Sequence, residues 1–257
     1  MPARRLIVAM PKGGSGKTAT TVAFAWALQR AGRKVLVVDL DPQGNATGAL
    51  GVAENHSYGV LEFLLRPQIS FAPRSTAEGI DVIPASPWKA GPDLEIQSAN
   101  RLTGPVAVRE ALQRVEDSYD YVTCDCAPGL GPLTYNALAA GPILVPVEMT
   151  RLAVSVIPDL DQVVSRLRRA VAPASVLAYL ATRYVEAQTE SREAFAALNR
   201  LRRGQVLSAR IPVATAIARA MAEAESPFSP RFRHSKGPKA YLAAVDEVVQ
   251  LLESDHE

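Results

Sequence analysis

Lys12 and Lys17 bracket a glycine-rich turn, Gly13-Gly14-Ser15-Gly16, and Thr18 follows at once. Glycines let backbone N–H groups converge on an oxyanion with no Cβ in the way. A lysine adds compensating charge, and a hydroxyl beside it can ligate a divalent cation. Together these types offer the binding of nucleotide phosphates, with Lys17 on the β- and γ-phosphates and Thr18 on Mg²⁺. The loop requires a strand to deliver it and a helix whose N-terminus adds its dipole. Leu6-Ile7-Val8-Ala9-Met10 reads as that buried strand, and residues 19–29 read as that helix. One position departs from the usual spacing. Its first glycine is Pro11, and a second lysine, Lys12, sits one residue on.

Carboxylates complete the candidate site. Asp39 and Asp41 close a second apolar run and precede Pro42-Gln43-Gly44-Asn45. At i and i+2 of a strand they are expected to face the same way, with Pro42 stopping the ladder. Beside a phosphate loop they would hold Mg²⁺ through water and orient an attacking water. Asp125 closes a third run, Tyr121-Val122-Thr123-Cys124. The Pro- and Gly-rich segment at 126–138 then suggests a turn that changes shape when a γ-phosphate leaves.

The elements that must position these residues are legible as alternation. Apolar runs at 34–39, 81–84, 121–125, 142–147 and 176–181 alternate with helical spacing at 106–115, 152–169 and 192–201. Continuous apolar strands between helices indicate a doubly wound α/β fold, a mostly parallel sheet flanked by helices, with ligands at the carboxyl ends of its strands. At 257 residues and 48% hydrophobic the chain can form one such domain over residues 1–257. Stretches 66–78 and 85–94 read as irregular surface excursions. Cys124 and Cys126 are too few for a disulfide framework and fit buried strand positions in a reducing cytoplasm. No signal peptide and no 18-residue apolar stretch is visible.

Three blocks, 12–18, 38–45 and 125–138, together resemble the deviant Walker A ATPases of the ParA/MinD group, and among them ParA (Soj-like) partition ATPases. The similarity continues through Val145-Pro146-Val147-Glu148 and Ile211-Pro212. The resemblance implies an ATPase that uses ATP and Mg²⁺ and forms a homodimer with ATP. In that dimer Lys12 reaches the phosphates held by the partner subunit, and Gly13 permits the close approach. Gly14, Ser15, Gly16, Lys17 and Thr18 hold phosphate and metal in cis. Asp41 positions water, Asp39 and Asp125 serve the metal side, and Pro212 lines the adenine. The implied partners are a ParB-like centromere-binding protein and non-specific double-stranded DNA, with a cytoplasmic, nucleoid-associated location and no membrane. Ala127 stands where the family has proline, and Arg219-Ala220 where it has Glu-Ala. The chain begins at its first strand, so the N-terminal helix-turn-helix of larger partition proteins is not expected.

Residues 183–239 carry eleven basic residues against five acidic ones, although the whole chain is only +2. Clustered cations without base-reading motifs suit sequence-independent phosphate contact. Arg192, Asn199 and Arg203 are expected on one helix face at i, i+7 and i+11, and Arg219 joins Arg192 and Arg203 as a candidate DNA contact. Three rivals share the superfamily. A MinD-like membrane regulator needs a basic amphipathic C-terminal helix, yet 241–250 holds no Lys or Arg. An iron–sulfur carrier needs a Cys-x-x-Cys bridge, and Cys124-Asp125-Cys126 is not one. A ParA-like ATPase that positions a protein cargo remains open.

Overall fold

The computed structural model describes residues 2–52, 58–68, 71–86, 105–170 and 174–254. Its apolar runs pair into one sheet of β1 (Arg4–Val8), β2 (Val35–Leu40), β3 (Arg74–Ser75), β4 (Asp81–Ile83), β5 (Tyr121–Cys126), β6 (Ile143–Glu148), β7 (Val176–Tyr184) and β8 (Val206–Pro212). The strand order is β3-β4-β2-β5-β1-β6-β7-β8. Every neighbouring pair is parallel except β3 with β4. β1 lies between β5 and β6, where the order reverses, so the crevice beyond its carboxyl end is where such sheets take ligands. Register brings Val8 and Asp39 beside Asp125, which sets the ends of three strands side by side.

Helices cover both faces. On one face α1 (Lys17–Arg30), α2 (Asn45–Ala49), α9 (Thr215–Ala222) and α10 (Lys236–Ser254) pack with Val8, Val37 and Leu180. On the other lie α3 (Val60–Leu65), α4 (Ala107–Gln113), α5 (Pro132–Leu138), α6 (Arg151–Ser155), α7 (Ile157–Ala170) and α8 (Thr189–Leu201), around Ile7, Val38 and Val145. α1 is buried continuously from Thr20 to Leu28, since it lies between the sheet and α10. β8 is a sheet edge with alternating exposure. The Glu247 carboxylate from α10 accepts the N–H groups of Ser208 and Ala209 at 2.7 and 2.8 Å, which blunts that edge.

Two expectations change. The helical stretch 152–169 is two helices that meet at Val156. Pro158 explains the break: it offers no N–H to the preceding turn, yet its fixed φ suits the first turn of α7. The excursion 66–78 contains β3, and of 85–94 the part 87–94 lies outside the described residues.

Candidate functional site

The phosphate loop joins β1 to α1 as expected. Gly14 and Gly16 have φ of 73° and 89°, a backbone region where only glycine sits without strain. Thr182 at the end of β7 donates its Oγ1 hydrogen bond to the Ser15 carbonyl at 2.7 Å, fixing the loop from across the sheet. Gly129, after β5, donates its N–H to the Pro11 carbonyl at 2.7 Å. The segment after Asp125 is therefore wired to the loop. Lys17 is buried, with Nζ 3.2 Å from the Lys12 carbonyl. Burial lowers its pKa, while Asp125, Cys126 and Asp41 oppose the shift. A cation held in so little water is primed for an anionic ligand. Among the described residues the buried Ser15 hydroxyl has no hydrogen-bond partner.

The aspartates divide their work differently from the strand-face expectation. β2 ends at Leu40, so Asp41 belongs to the following turn, where its Oδ1 accepts the Gln43 N–H at 2.9 Å. Asp41 lines a cleft of about 770 Å³ together with Gly13, Gly16, Lys17, Thr18 and Pro128. Asp39 does not line it. Its Oδ2 accepts from Thr47 N at 2.8 Å and Thr47 Oγ1 at 2.7 Å, and its Oδ1 accepts from Asp41 N at 3.1 Å. These bonds make Asp39 a buried brace that orients Asp41, and any part it takes on the metal side is through water, not by direct contact. Complete burial, outweighing those hydrogen bonds, raises Asp39 to about 6. Asp125 accepts from Thr18 Oγ1 at 2.7 Å and Thr21 Oγ1 at 3.2 Å. Burial first, and neighbouring Asp39 second, push its pKa well above the usual carboxylate range. A divalent cation beside Thr18 would relieve that arrangement, since it favours ionised carboxylates. Thr18 and Asp125 thus fit a metal, with Asp125 acting through the threonine or through water.

Lys12 points out of the loop. Its Nζ lies 2.5 Å from Glu148 Oε2 and 3.4 Å from Thr150 Oγ1. A second concavity of about 300 Å³ continues from Gly14 and Gly16 past Thr182, Ile211, Pro212 and Tyr241. Its mostly apolar walls suit a flat base, with Pro212 where the adenine contact is expected. Arg219 does not line it. Arg219 pairs with Glu223 at 3.9 Å, while Ala218 and Met221 supply the wall.

Residues 3–175 match a family model described as an AAA domain. The chromosome-partitioning ATPase Soj of Thermus thermophilus is 39% identical over 189 residues, which cover 70% of each chain. The chain belongs to the ParA/Soj-type ATPase family. The sporulation initiation inhibitor protein Soj of Bacillus subtilis is 40% identical over 141 residues, 53% of this chain and 55% of that one. Among solved structures, cobyrinic acid a,c-diamide synthase of Mycobacterium smegmatis with a bound ATP analogue and magnesium superposes with a TM-score of 0.83. It is 31% identical and covers 96% of this chain and 94% of its own.

For a ParA/Soj-type chain the basic region is dispersed. α8 ends at Leu201 and Gly204 turns the chain at φ 80°, so Arg203 lies beyond the helix that was expected to carry it with Arg192. Arg192 instead folds back on the start of α8, donating to the Glu186 carbonyl at 2.8 Å and Thr189 Oγ1 at 3.2 Å. Arg202 is committed to Asp161 and to Tyr179. Lys236 and Lys239 stand on α10, across the sheet from α8. Among the described residues, Arg200, Arg203, Lys236 and Lys239 make no ion pair.

The sequence reading missed Glu148, Thr182, Thr47 and Thr21 as members of this site. Only Thr21 carried a local signal, since it follows Lys17 by one helical turn and so lies on the same face.

Proposed function

We propose that this chain is an ATP-dependent DNA-partition switch. Bound ATP with Mg²⁺ drives two subunits into a sandwich that holds double-stranded DNA without regard to sequence, and hydrolysis stimulated by a ParB-like protein releases it. The observation that carries the reading is the second lysine. Lys17 already serves the loop in its own subunit, whereas the Lys12 ammonium turns out of that loop onto Glu148 and Thr150, from which it would pass to a second nucleotide. Gly13 agrees. A Cβ there would meet nothing within 4 Å among the described residues, so no contact among them requires glycine, while close approach of a second backbone would. Magnesium would neutralise charge developing on the phosphates, Thr18 would hold it, and Asp41 would orient water. The proposal extends to the full chain as one such domain, acting at the nucleoid.

A membrane-cycling role is disfavoured because α10 spends its apolar residues Tyr241, Ala244, Val245, Val248 and Leu252 on the core. No described helix is long and apolar enough to cross a membrane. Amide formation fed by a cysteine nucleophile is equally disfavoured, as Cys124 and Cys126 are buried in β5 and burial pushes the Cys124 thiol up to about 12. A protein cargo in place of a centromere complex uses the same chemistry and would show the same nucleotide dependence.

DNA binding measured by interferometry over a salt series, with ATP, ADP and no nucleotide, tests the proposal. Binding should need ATP, ignore sequence and weaken as salt rises, at a logarithmic slope of about −0.9 per phosphate contact. Reversing charge at Arg192 and Arg203 together should weaken all sequences alike. Arg219 should matter less, because Glu223 already pairs with it. Equal affinity in all three nucleotide states, or strong preference for one sequence, would remove the switch.

A further inference from the structure

One carboxylate that meets the phosphate-loop residue Lys12 carries two cations. Glu148, the last residue of β6, holds Lys12 Nζ at 2.5 Å through Oε2 and Arg183 Nε at 3.1 Å through Oε1. The lysine and the carboxylate are largely withdrawn from water, with side chains 23% and 19% exposed, whereas Arg183 is 58% exposed. Arg183 reaches Glu148 from β7 with φ of 52°, a left-handed conformation in which any Cβ crowds the backbone carbonyl. It also lines the base pocket beside Pro212. Its neighbour Thr182 braces the phosphate loop. Arg183 thus stands between the place for a base and the resting place of Lys12.

We propose that Glu148 and Arg183 form a latch that sets how readily Lys12 leaves its own subunit for a partner's triphosphate. The latch rests on the reading that Lys12 acts across a dimer. Its physics is the penalty on an unpaired, partly buried charge. If Lys12 were the only cation on Glu148, its departure would leave the carboxylate uncompensated. With Arg183 on the other oxygen, Lys12 departs and Glu148 remains paired. Glu148 therefore restrains the lysine, and Arg183 weakens the restraint. Both are positioning residues that act through Lys12. The two have opposite signs in dimerisation, which a purely structural role does not produce.

The test is the dimer dissociation constant, from light scattering over a dilution series at saturating non-hydrolysable ATP analogue. Saturation removes any change in nucleotide affinity that arises from Arg183's place in the base pocket. Glu148→Gln keeps the shape and removes the charge, and it should tighten the dimer by roughly fivefold for each lysine released. Arg183→Asn should weaken it by a similar factor, asparagine being chosen because it tolerates positive φ. Arg183→Lys should restore parental behaviour. In the Glu148→Gln background, Arg183→Asn should have no effect. A parent that dimerises, with Glu148→Gln no tighter or Arg183→Asn no weaker, overturns the latch alone. A parent that stays monomeric overturns the dimer reading and the latch with it.

Discussion

Lys17→Ala should give a folded protein that no longer binds ATP at accessible concentrations. Lys17 starts α1, its ammonium is buried at the mouth of the phosphate loop, and burial lowers its pKa. The apo chain thus bears an incompletely compensated desolvation, and a triphosphate provides the missing anion. Removing the side chain forfeits charge-assisted hydrogen bonds worth about 1.5–3 kcal/mol, and removes the ammonium that offsets the nearby Asp41 and Asp125 carboxylates. The expected loss in affinity is roughly a hundredfold or more, since about 1.4 kcal/mol is tenfold. Calorimetric titration with ATP–Mg²⁺ reads it directly, with circular dichroism confirming the fold. Near-parental affinity would take Lys17 out of the phosphate site.

Asp41→Ala should separate binding from turnover. Asp41 lines the cleft, and Asp39 holds its backbone N–H while Asp39 itself is gripped by Thr47. That brace fixes a carboxylate on the cleft wall, where the proposed mechanism has it orient the attacking water. Water positioning acts in the transition state, so its loss should slow hydrolysis by about two to four orders of magnitude and leave ATP affinity near parental. The variant should accumulate as an ATP-bound dimer. Because Asp41 Oδ1 also receives the Gln43 N–H, Asp41→Asn is the control that keeps the turn while removing the charge. Phosphate release read alongside light scattering decides the matter. A variant that hydrolyses ATP at the parental rate, or stays monomeric with saturating ATP, would remove Asp41 from this role.

What could be read from the residues was local. The phosphate loop declared itself because its strand, its glycines and its helix are consecutive, and the strand-ending aspartates because each closes an apolar run. The parallel sheet followed from alternation, and its register then brought the three strand ends together. What escaped was made by distance along the chain. Lys12 meets Glu148 across 136 residues, and Ser15 meets Thr182 across 167, so nothing near either residue announces the contact. The shared strand face expected of Asp39 and Asp41 did not hold because strand periodicity was carried one residue too far; the strand stops at Leu40, and the turn aims Asp41, not Asp39, into the cleft. The basic stretch read as one patch in sequence is divided by the sheet itself, with α8 on one face and α10 on the other.

The central claim is that ATP makes this monomer a dimer through the loop that carries Lys12. Molar mass by light scattering coupled to gel filtration, for the parent and for Gly13→Val with ATP analogue or ADP, tests it most directly. The parent should run as a dimer with the analogue and a monomer with ADP. Gly13→Val should stay monomeric in both while still binding nucleotide, because a Cβ at Gly13 meets nothing within 4 Å among the described residues and would stand where another subunit must enter. A parent that is monomeric with the analogue, or a Gly13→Val protein that dimerises as the parent does, would contradict the account.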